Sequence, residues 1–238
     1  MLSAVRKRIV QRINPQIRIA ARKLLSEIEI TRISRRSAGQ FLALKNAKSL
    51  KVHLGCGPDI RSGWLNIDLA LNGAEPPSSG NATFINYDLR RTLPLADESC
   101  DLIYSAHFLE HLEYKHGLQL LRECYRLLRP GGVIRISLPT LDRTFEAYLR
   151  RDTKFFDLID IRQLMPEVEP GTDTLVDIVN FSVYQYGEHK CIYDVDKIIL
   201  LLRHIGFSSV AESTFHEDLD PSDELRRRYS FYVQATRC

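Results

Sequence analysis

The chain has 238 residues, of which 44% are apolar and 26% are charged, and its formal net charge is +3. This length and composition suit one globular domain with an appendage. The sequence has no apolar run of about 18 residues, which excludes a transmembrane helix, and no apolar segment typical of a secretory signal near its start. Five cysteines without a Cys-x-x-Cys pair argue against a disulfide framework or a cysteine-based zinc site, so we expect a cytoplasmic protein.

Charge divides the chain into two parts. Residues 1–48, the leader, carry twelve lysines and arginines against two acids, whereas residues 49–238 carry 21 basic and 28 acidic residues. Apolar residues recur at helical spacing on both sides of Asn14-Pro15, which predicts two amphipathic helices with arginines on the open face. We therefore predict a basic helical extension over 1–48 and a larger domain over 49–238.

Two functions remain open for the leader. Its apolar faces can pack on the larger domain or on a second copy of the chain. A basic amphipathic helix is equally typical of a segment that lies on an anionic membrane surface, here the inner face of the membrane. Nucleic acid is not expected as a partner, because aromatic residues are not interleaved with the basic ones and the rest of the chain is acidic.

From residue 50 onwards, strand and helix signals alternate, which is typical of an α/β fold. Apolar runs predict seven strands, at 50–54, 64–67, 83–87, 100–105, 133–138, 208–213 and 229–235. Amphipathic spacing predicts helices at 118–128 and 195–204, with a helical excursion over 142–165. The sequence thus predicts a Rossmann-like, mostly parallel seven-stranded sheet with helices on both faces and an antiparallel final strand.

A Gly-x-Gly sequence follows the first predicted strand. The strand runs into Leu54-Gly55-Cys56-Gly57-Pro58, and the second strand ends in Asp68. Glycines let backbone and ligand approach closely, and an acid at the tip of the neighbouring strand accepts hydrogen bonds from a ribose diol. The dinucleotide fingerprint needs a third glycine where this chain has Ile60, and Pro58 removes a backbone donor that a phosphate would use. The loop therefore favours a nucleoside-like ligand without phosphate.

The segment Leu54–Gly57 resembles the first motif of class I S-adenosylmethionine-dependent methyltransferases. Later segments follow in the order that this resemblance implies: Asp88-Leu89, Asp101–Ser105, and the leucine-rich helix that ends in Arg129-Pro130-Gly131-Gly132. The resemblance covers about residues 50–140 well. It implies a methyltransferase with S-adenosylmethionine as cofactor.

Roles for single residues also come from the resemblance. It implies that Asp68 holds the ribose hydroxyls, that Asp88 reaches the adenine amino group and that Leu89 borders the adenine ring. The complete implied cofactor site consists of Gly55, Cys56, Gly57, Pro58, Asp68, Asp88, Leu89, Ser105 and His107.

The gap between the loop and the acid is short. Only eleven positions separate Gly57 from Asp68, so we expect at most one helical turn in the first crossover, and the leader helices are candidates to cover the space. This shortened Gly-Cys-Gly-Pro…Gly-Trp-Leu-Asn-Ile-Asp form resembles a narrower group of small bacterial methyltransferases associated with surface polysaccharide or natural-product pathways.

The resemblance leaves the methyl acceptor open. A hydroxyl acceptor needs a general base, an amine needs less help and a thiolate needs none. No metal-binding constellation is apparent, so histidine is the expected base. His111 follows the fourth predicted strand, and His189 lies in the aromatic and polar segment 184–193, which suits a sugar. We predict His111 or His189 as the base.

Transfer to a hydroxyl of a glycan or small metabolite is the expected reaction. Two alternatives remain. The first is a non-catalytic protein that binds S-adenosylmethionine or docks a partner, since intact binding residues do not establish turnover. The second is a nicotinamide-dependent oxidoreductase on a similar sheet, against which the missing third glycine and Pro58 argue.

Overall fold

The computed structural model describes residues 14–71 and 82–238. The first predicted leader helix, which precedes Asn14-Pro15, lies outside the described residues.

Seven strands form one sheet in the order β3-β2-β1-β4-β5-β7-β6. The strands are β1 (Leu50–Leu54), β2 (Leu65–Asp68), β3 (Thr83–Asn86), β4 (Cys100–Ala106), β5 (Leu128–Pro139), β6 (Phe207–Ser213) and β7 (Ser230–Arg237). Neighbours among β1 to β5 pair in parallel, whereas β7 runs antiparallel to both β5 and β6. The predicted Rossmann-like sheet with an antiparallel final strand is thereby confirmed.

Helices precede β1 and lie between later strands. They are α1 (Pro15–Arg36), α2 (Ala38–Ala43), α3 (Tyr114–Leu127), α4 (Leu141–Leu149), α5 (Ile161–Leu164), α6 (Leu175–Tyr184), α7 (Val195–Ile205) and α8 (Glu224–Tyr229). Helix α7 begins at Asp194, whose side chain accepts a hydrogen bond from the Lys197 N–H, and ends at Gly206 in the left-handed conformation. Its apolar face joins that of α3 in the core against the sheet.

Three predicted elements have different limits. The Pro-Gly-Gly segment does not separate α3 from a later strand, because β5 already begins at Leu128. Leu128 pairs with Cys100 and Val133 with Leu102, so the residues between them bulge out of the ladder. The helical excursion over 142–165 is two helices, α4 and α5, joined by turns, and neither α6 nor α8 was predicted.

The first crossover contains no helix between β1 and β2, as the short gap predicted. The described part of the leader contacts the sheet at β3. Ser37 donates a hydrogen bond to the carbonyl of Asn86, and Phe41 packs edge-on against Tyr87 with ring centroids 5.0 Å apart. These contacts place α1 and α2 beside the carboxyl end of β3.

A buried ion pair ties the last strands together. The Arg135 Nε on β5 donates to Asp220 Oδ1 at 2.9 Å, and both side chains are almost fully buried. Arg135 also donates to Ser213 at the end of β6, and Asp220 accepts from the His216 N–H at 2.7 Å. Residues 214–223 are thus held against the sheet by side chains that have no access to water.

Removing one partner of this pair should destabilise the fold. We expect Asp220→Ala to lower the free energy of unfolding by about 3–5 kcal/mol, because it leaves a buried guanidinium without its counter-charge. Urea unfolding followed by circular dichroism measures this. Asp218→Ala, at an exposed position in the same segment, is the control and should change the free energy by less than about 0.5 kcal/mol. Equal stability of the two variants would contradict the assigned role of the pair.

Candidate active site

The carboxyl ends of β1, β2 and β4 meet at one edge of the sheet. Leu54 lies opposite Ile67 on one side and opposite Ser105 on the other. Open α/β sheets bind ligands at this edge, where the loops that leave adjacent parallel strands diverge. The predicted cofactor residues after these three strands are therefore brought together by strand pairing alone.

The Gly-x-Gly loop is fastened to β2 by the acid predicted to hold the ribose. Asp68 Oδ2 accepts a hydrogen bond from the Gly57 N–H at 2.6 Å, and Oδ1 accepts one from the Leu69 N–H at 2.6 Å. Gly57 has φ of +51°, and a Cβ added to it would meet no atom within 4 Å, so the loop borders open space there. Each carboxylate oxygen retains a second lone pair for a ligand, and the Asp68 side chain is partly exposed.

Gly55 is required by close packing as well as by its backbone angle. Its φ is +65°, its N–H donates to the Ile67 carbonyl at 2.9 Å, and an added Cβ would lie 2.0 Å from the Phe108 ring. The next residue, Cys56, is buried, and burial raises the pKa of its thiol to about 12. Cys56 is therefore a protonated packing residue at neutral pH. Pro58 follows in the turn that leads away from the sheet.

Asp88 and Leu89 lie after β3 and are both buried. Asp88 accepts hydrogen bonds from Arg90 Nε at 2.9 Å and from Arg91 Nε at 3.3 Å. Burial acts to raise the pKa of Asp88, but the hydrogen bonds from Arg90 outweigh it and the pKa lies below its ordinary value. Leu89 belongs to the main hydrophobic core.

Arg90 connects this acid to the leader. Its two terminal nitrogens donate to the carboxylate of Glu27 on α1 at 2.9 and 3.0 Å. Arg91 donates to the Thr31 hydroxyl on the same helix. This link was not predicted from the sequence. The signals that could have indicated it are the paired arginines shortly after Asp88 and the scarcity of acids in the leader.

Ser105 and His107 lie at the end of β4 and directly after it. Ser105 is buried within the parallel pairing, and the His107 N–H donates to the Ser137 carbonyl at 2.9 Å. His107 and His111 do not share a helix. His107 has φ of +50°, and only a single 3₁₀ turn, Leu109–His111, follows it. His107 Nε2 instead lies 2.7 Å from the Ser230 hydroxyl oxygen.

The two predicted base residues come together beside a buried acid. The imidazole rings of His111 and His189 pack edge to face with centroids 4.9 Å apart. Glu110 is 3% exposed, and neither of its carboxylate oxygens has a hydrogen-bond partner among the described residues. One ligating atom from each of these three side chains lies within 4.8 Å of the other two. Glu110, His111 and His189 form what we term the His–Glu cluster.

Burial dominates the electrostatics of this cluster. It raises the pKa of Glu110 to about 8, with the charge of Arg226 acting in the opposite direction. It lowers the pKa of both histidines, although the nearby charges of Glu188 and Asp68 oppose this at His111. Both imidazoles are therefore neutral at pH 7.

Two cavities border the site. One, the cluster cavity, has a volume of about 340 Å³ and is lined by His107, the His–Glu cluster and side chains of α4, α6 and α8. The other has a volume of about 700 Å³ and lies between Pro58–Trp64 and residues 217–226. Arg226 lines both cavities. The cluster cavity is large enough for a small organic acceptor.

Residues 46–136 match the family model described as a methyltransferase domain. Two curated proteins resemble parts of the chain. The malonyl-[acyl-carrier protein] O-methyltransferase 1 of Coxiella burnetii is 33% identical over 44% of this chain and 39% of its own length. A probable S-adenosylmethionine-dependent methyltransferase of Mycolicibacterium smegmatis is 45% identical over 20% of this chain and 18% of its own length. The chain thus spans less than two fifths of the curated relatives it matches.

Solved structures resemble the chain at lower identity. The crystal structure of a SAM-dependent methyltransferase from Archaeoglobus fulgidus covers 85% of this chain and 92% of its own, with 16% identity and a TM-score of 0.49. An S-adenosylmethionine-dependent methyltransferase from Mesorhizobium loti covers 84% of this chain and 96% of its own, with 20% identity and a TM-score of 0.43. The family match supports the predicted methyltransferase domain within residues 46–136, and S-adenosylmethionine is its expected cofactor.

Removal of the Asp68 carboxylate should weaken cofactor binding. We expect Asp68→Ala to raise the dissociation constant for S-adenosylmethionine by about 10- to 100-fold, because hydrogen bonds to a charged group contribute about 1.5–3 kcal/mol and the Gly57 loop is released as well. Isothermal titration calorimetry measures this. Asp196→Ala, at an exposed position in the first turn of α7, is the control and should bind as the unaltered protein does. Unchanged affinity of Asp68→Ala would contradict the role assigned to this acid.

Proposed function

We propose that this protein transfers the methyl group of S-adenosylmethionine to a hydroxyl group of a glycan or small metabolite. The observation that carries the proposal is the position of the cluster cavity. It lies beside the end of β4, where His107 and the turn that carries Glu110 and His111 form part of its wall. An acceptor in this cavity would face a cofactor held by the Gly-x-Gly loop.

The residues at this edge have separate tasks in such a reaction. S-adenosylmethionine, when bound, supplies a methyl group on a positively charged sulfur. Asp68 and the loop at Gly55–Gly57 hold the nucleoside part and fix its direction. The walls of the cluster cavity orient the acceptor and exclude water, which accounts for much of the rate enhancement in an in-line displacement. The acceptor hydroxyl would face His111 and His189.

A hydroxyl is favoured over an amine or thiolate acceptor by the polar groups that converge on this cavity. His107, Glu110, His111 and His189 all line it, and such groups are needed where a poorly acidic proton must be removed. An amine with a low pKa or a thiolate would need little of this machinery. The aromatic residues Phe181 and Tyr229 on the same wall suit the apolar face of a sugar or of a ring-containing metabolite.

The histidine pair provides the direct test. We expect His111→Ala and His189→Ala each to lower kcat for a hydroxyl acceptor by about 100-fold or more, with the dissociation constant for S-adenosylmethionine changed less than threefold. Formation of S-adenosylhomocysteine is measured with a panel of sugars, polyols, phenols, amines and thiols. His116→Ala, at the start of α3 and away from the cluster cavity, is the matched control.

Three results would contradict this proposal. Activity of both histidine variants within threefold of the unaltered protein would exclude the assigned roles. Turnover of amines or thiols alone would exclude the hydroxyl acceptor. Tight binding of S-adenosylmethionine without turnover of any acceptor would favour the non-catalytic alternative.

We also propose that α1 lies on an anionic membrane surface. Ile17, Leu24 and Leu25 lie on one side of this helix and are 61%, 63% and 66% exposed. Five described basic residues accompany them on α1, namely Arg22, Lys23, Arg32, Arg35 and Arg36. Within residues 14–71 and 82–238, no helix has the length and apolarity needed to cross a bilayer, so α1 would lie along the surface. Positive charge beside exposed leucines is complementary to an acidic lipid surface.

Vesicle binding tests this second proposal. We expect the protein to co-sediment with vesicles that contain phosphatidylserine, less so at high salt, and not with pure phosphatidylcholine vesicles. The double variant Leu24→Glu/Leu25→Glu should bind at least about tenfold more weakly, because it removes two leucines that would be buried in the membrane. Leu200→Glu, at a similarly exposed position of α7, is the control. Absence of vesicle binding, with a dimer that the double variant abolishes, would show that this face binds a second copy instead.

A further inference from the structure

We propose that the His–Glu cluster binds a divalent transition-metal ion whose open coordination position faces the cluster cavity. Two imidazole nitrogens and one carboxylate oxygen lie within 4.8 Å of one another, and all three side chains line that cavity. In a tetrahedral site with bonds of about 2.0–2.2 Å, neighbouring ligands are about 3.3–3.6 Å apart. Coordination would require side-chain rotations that bring the three atoms to that separation.

Glu110 provides independent evidence for a missing cation. Its carboxylate is almost completely buried, and neither oxygen has a hydrogen-bond partner among the described residues. His107 Nδ1 lies 3.6 Å from Oε1, beyond hydrogen-bond length. Burying a carboxylate without a partner is costly, and coordination to a metal is one of the ways in which proteins satisfy such a group.

Arg226 does not satisfy this carboxylate either. Its side chain lines the cluster cavity, but its closest acidic partner is Asp223, one turn away on the same chain segment, at 3.9 Å. No hydrogen bond joins Arg226 to Glu110. A cation coordinated by the cluster would supply the partner that the Glu110 carboxyl group lacks.

His189 is oriented from behind, as metal ligands are. Its Nδ1 lies 2.9 Å from the Ser182 carbonyl oxygen, so that nitrogen donates its proton and Nε2 keeps a free lone pair. Metal-binding histidines almost always donate their other ring N–H to a carbonyl or carboxylate, which fixes the tautomer and the ring plane.

The backbone holds the two halves of the cluster together. The N–H groups of Lys190 and Cys191 both donate to the Glu110 carbonyl, at 2.8 and 3.1 Å. This pairing fixes the segment that carries His189 against the turn that carries Glu110 and His111. The three ligating side chains are therefore placed by main-chain hydrogen bonds before any ion binds.

The donor set selects the type of ion. Imidazole nitrogens suit zinc, iron, cobalt, nickel and copper, whereas magnesium and calcium prefer sites made of oxygen atoms. Three protein ligands leave a position for water or for a substrate oxygen, as in catalytic zinc sites. No metal site was predicted from the sequence. The proposed ligands come from two distant segments and show none of the short spacings typical of metal motifs.

For its role in catalysis, this inference rests on the proposed function. The acceptor hydroxyl would bind the ion through its oxygen, and the ion would lower the pKa of that hydroxyl. The proton would leave to water in the cavity, and the oxygen would then attack the methyl carbon as its bond to the sulfonium sulfur breaks and S-adenosylhomocysteine leaves. His111 and His189 would act as ligands in this reaction and would not themselves take the proton.

Metal binding is tested without any assay of activity. The purified protein is stripped with a chelator, dialysed and titrated with Co²⁺, followed by visible absorption, and with Zn²⁺, followed by calorimetry. We expect one equivalent of Zn²⁺ to bind, and Co²⁺ to give the absorption bands of a site with nitrogen ligands. Glu110→Gln, His111→Ala and His189→Ala should each weaken binding at least about tenfold. His116→Ala should bind normally, and circular dichroism checks that each variant is folded.

Several outcomes would overturn the inference. These are no stoichiometric binding of Zn²⁺ or Co²⁺ to the unaltered protein, binding that folded Glu110→Gln and His189→Ala retain in full, or binding of Mg²⁺ in preference to Zn²⁺. Calorimetry with S-adenosylmethionine on the same samples separates this failure from failure of the proposed function. A protein that methylates hydroxyl acceptors after complete removal of metal would contradict the catalytic role of the ion, while the methyl transfer itself would stand.

Discussion

The hydrogen bond from the Gly57 N–H to Asp68 is the contact on which the cofactor side of the structure depends. Most crossovers between parallel strands contain a helix that packs on the sheet and fixes both loops. Here the crossover has no helix, so one carboxylate at the end of β2 holds the loop that leaves β1. The same carboxylate is the group expected to hold the ribose, and its charge acts to raise the pKa of His111. Loop position, cofactor binding and the electrostatics of the cluster are thus linked through one side chain.

Around this contact, buried charges divide into satisfied and unsatisfied groups. Arg135 and Asp220 satisfy each other and hold residues 214–223 against the sheet. Asp88 is satisfied by Arg90, which also reaches Glu27 of the leader. Glu110 alone among these carboxylates has no partner among the described residues, and it lies in the wall of a cavity. A buried carboxyl group without a hydrogen-bond partner in a cavity wall points to a ligand. Carboxylates that are paired with arginines stabilise the fold.

Features fixed by residues adjacent in sequence could be predicted. Short patterns predict the strand that ends just before Gly55, the acid Asp68 and the absence of a helix in the first crossover. The contacts of Arg90 with Glu27, and of His189 with His111, join residues far apart in the chain, and no local pattern encodes them. Local chemistry also misled at the Pro-Gly-Gly segment, because pairing of Leu128 with Cys100 draws it into the sheet as a bulge.

The most direct test of the account is a structure of the protein determined with S-adenosylhomocysteine bound. We predict that both ribose hydroxyls lie within hydrogen-bond distance of Asp68, that the Gly55–Gly57 backbone borders the amino-acid part, and that the sulfur faces the cluster cavity. A nucleoside bound away from Asp68, or a sulfur directed away from His111 and His189, would contradict the account.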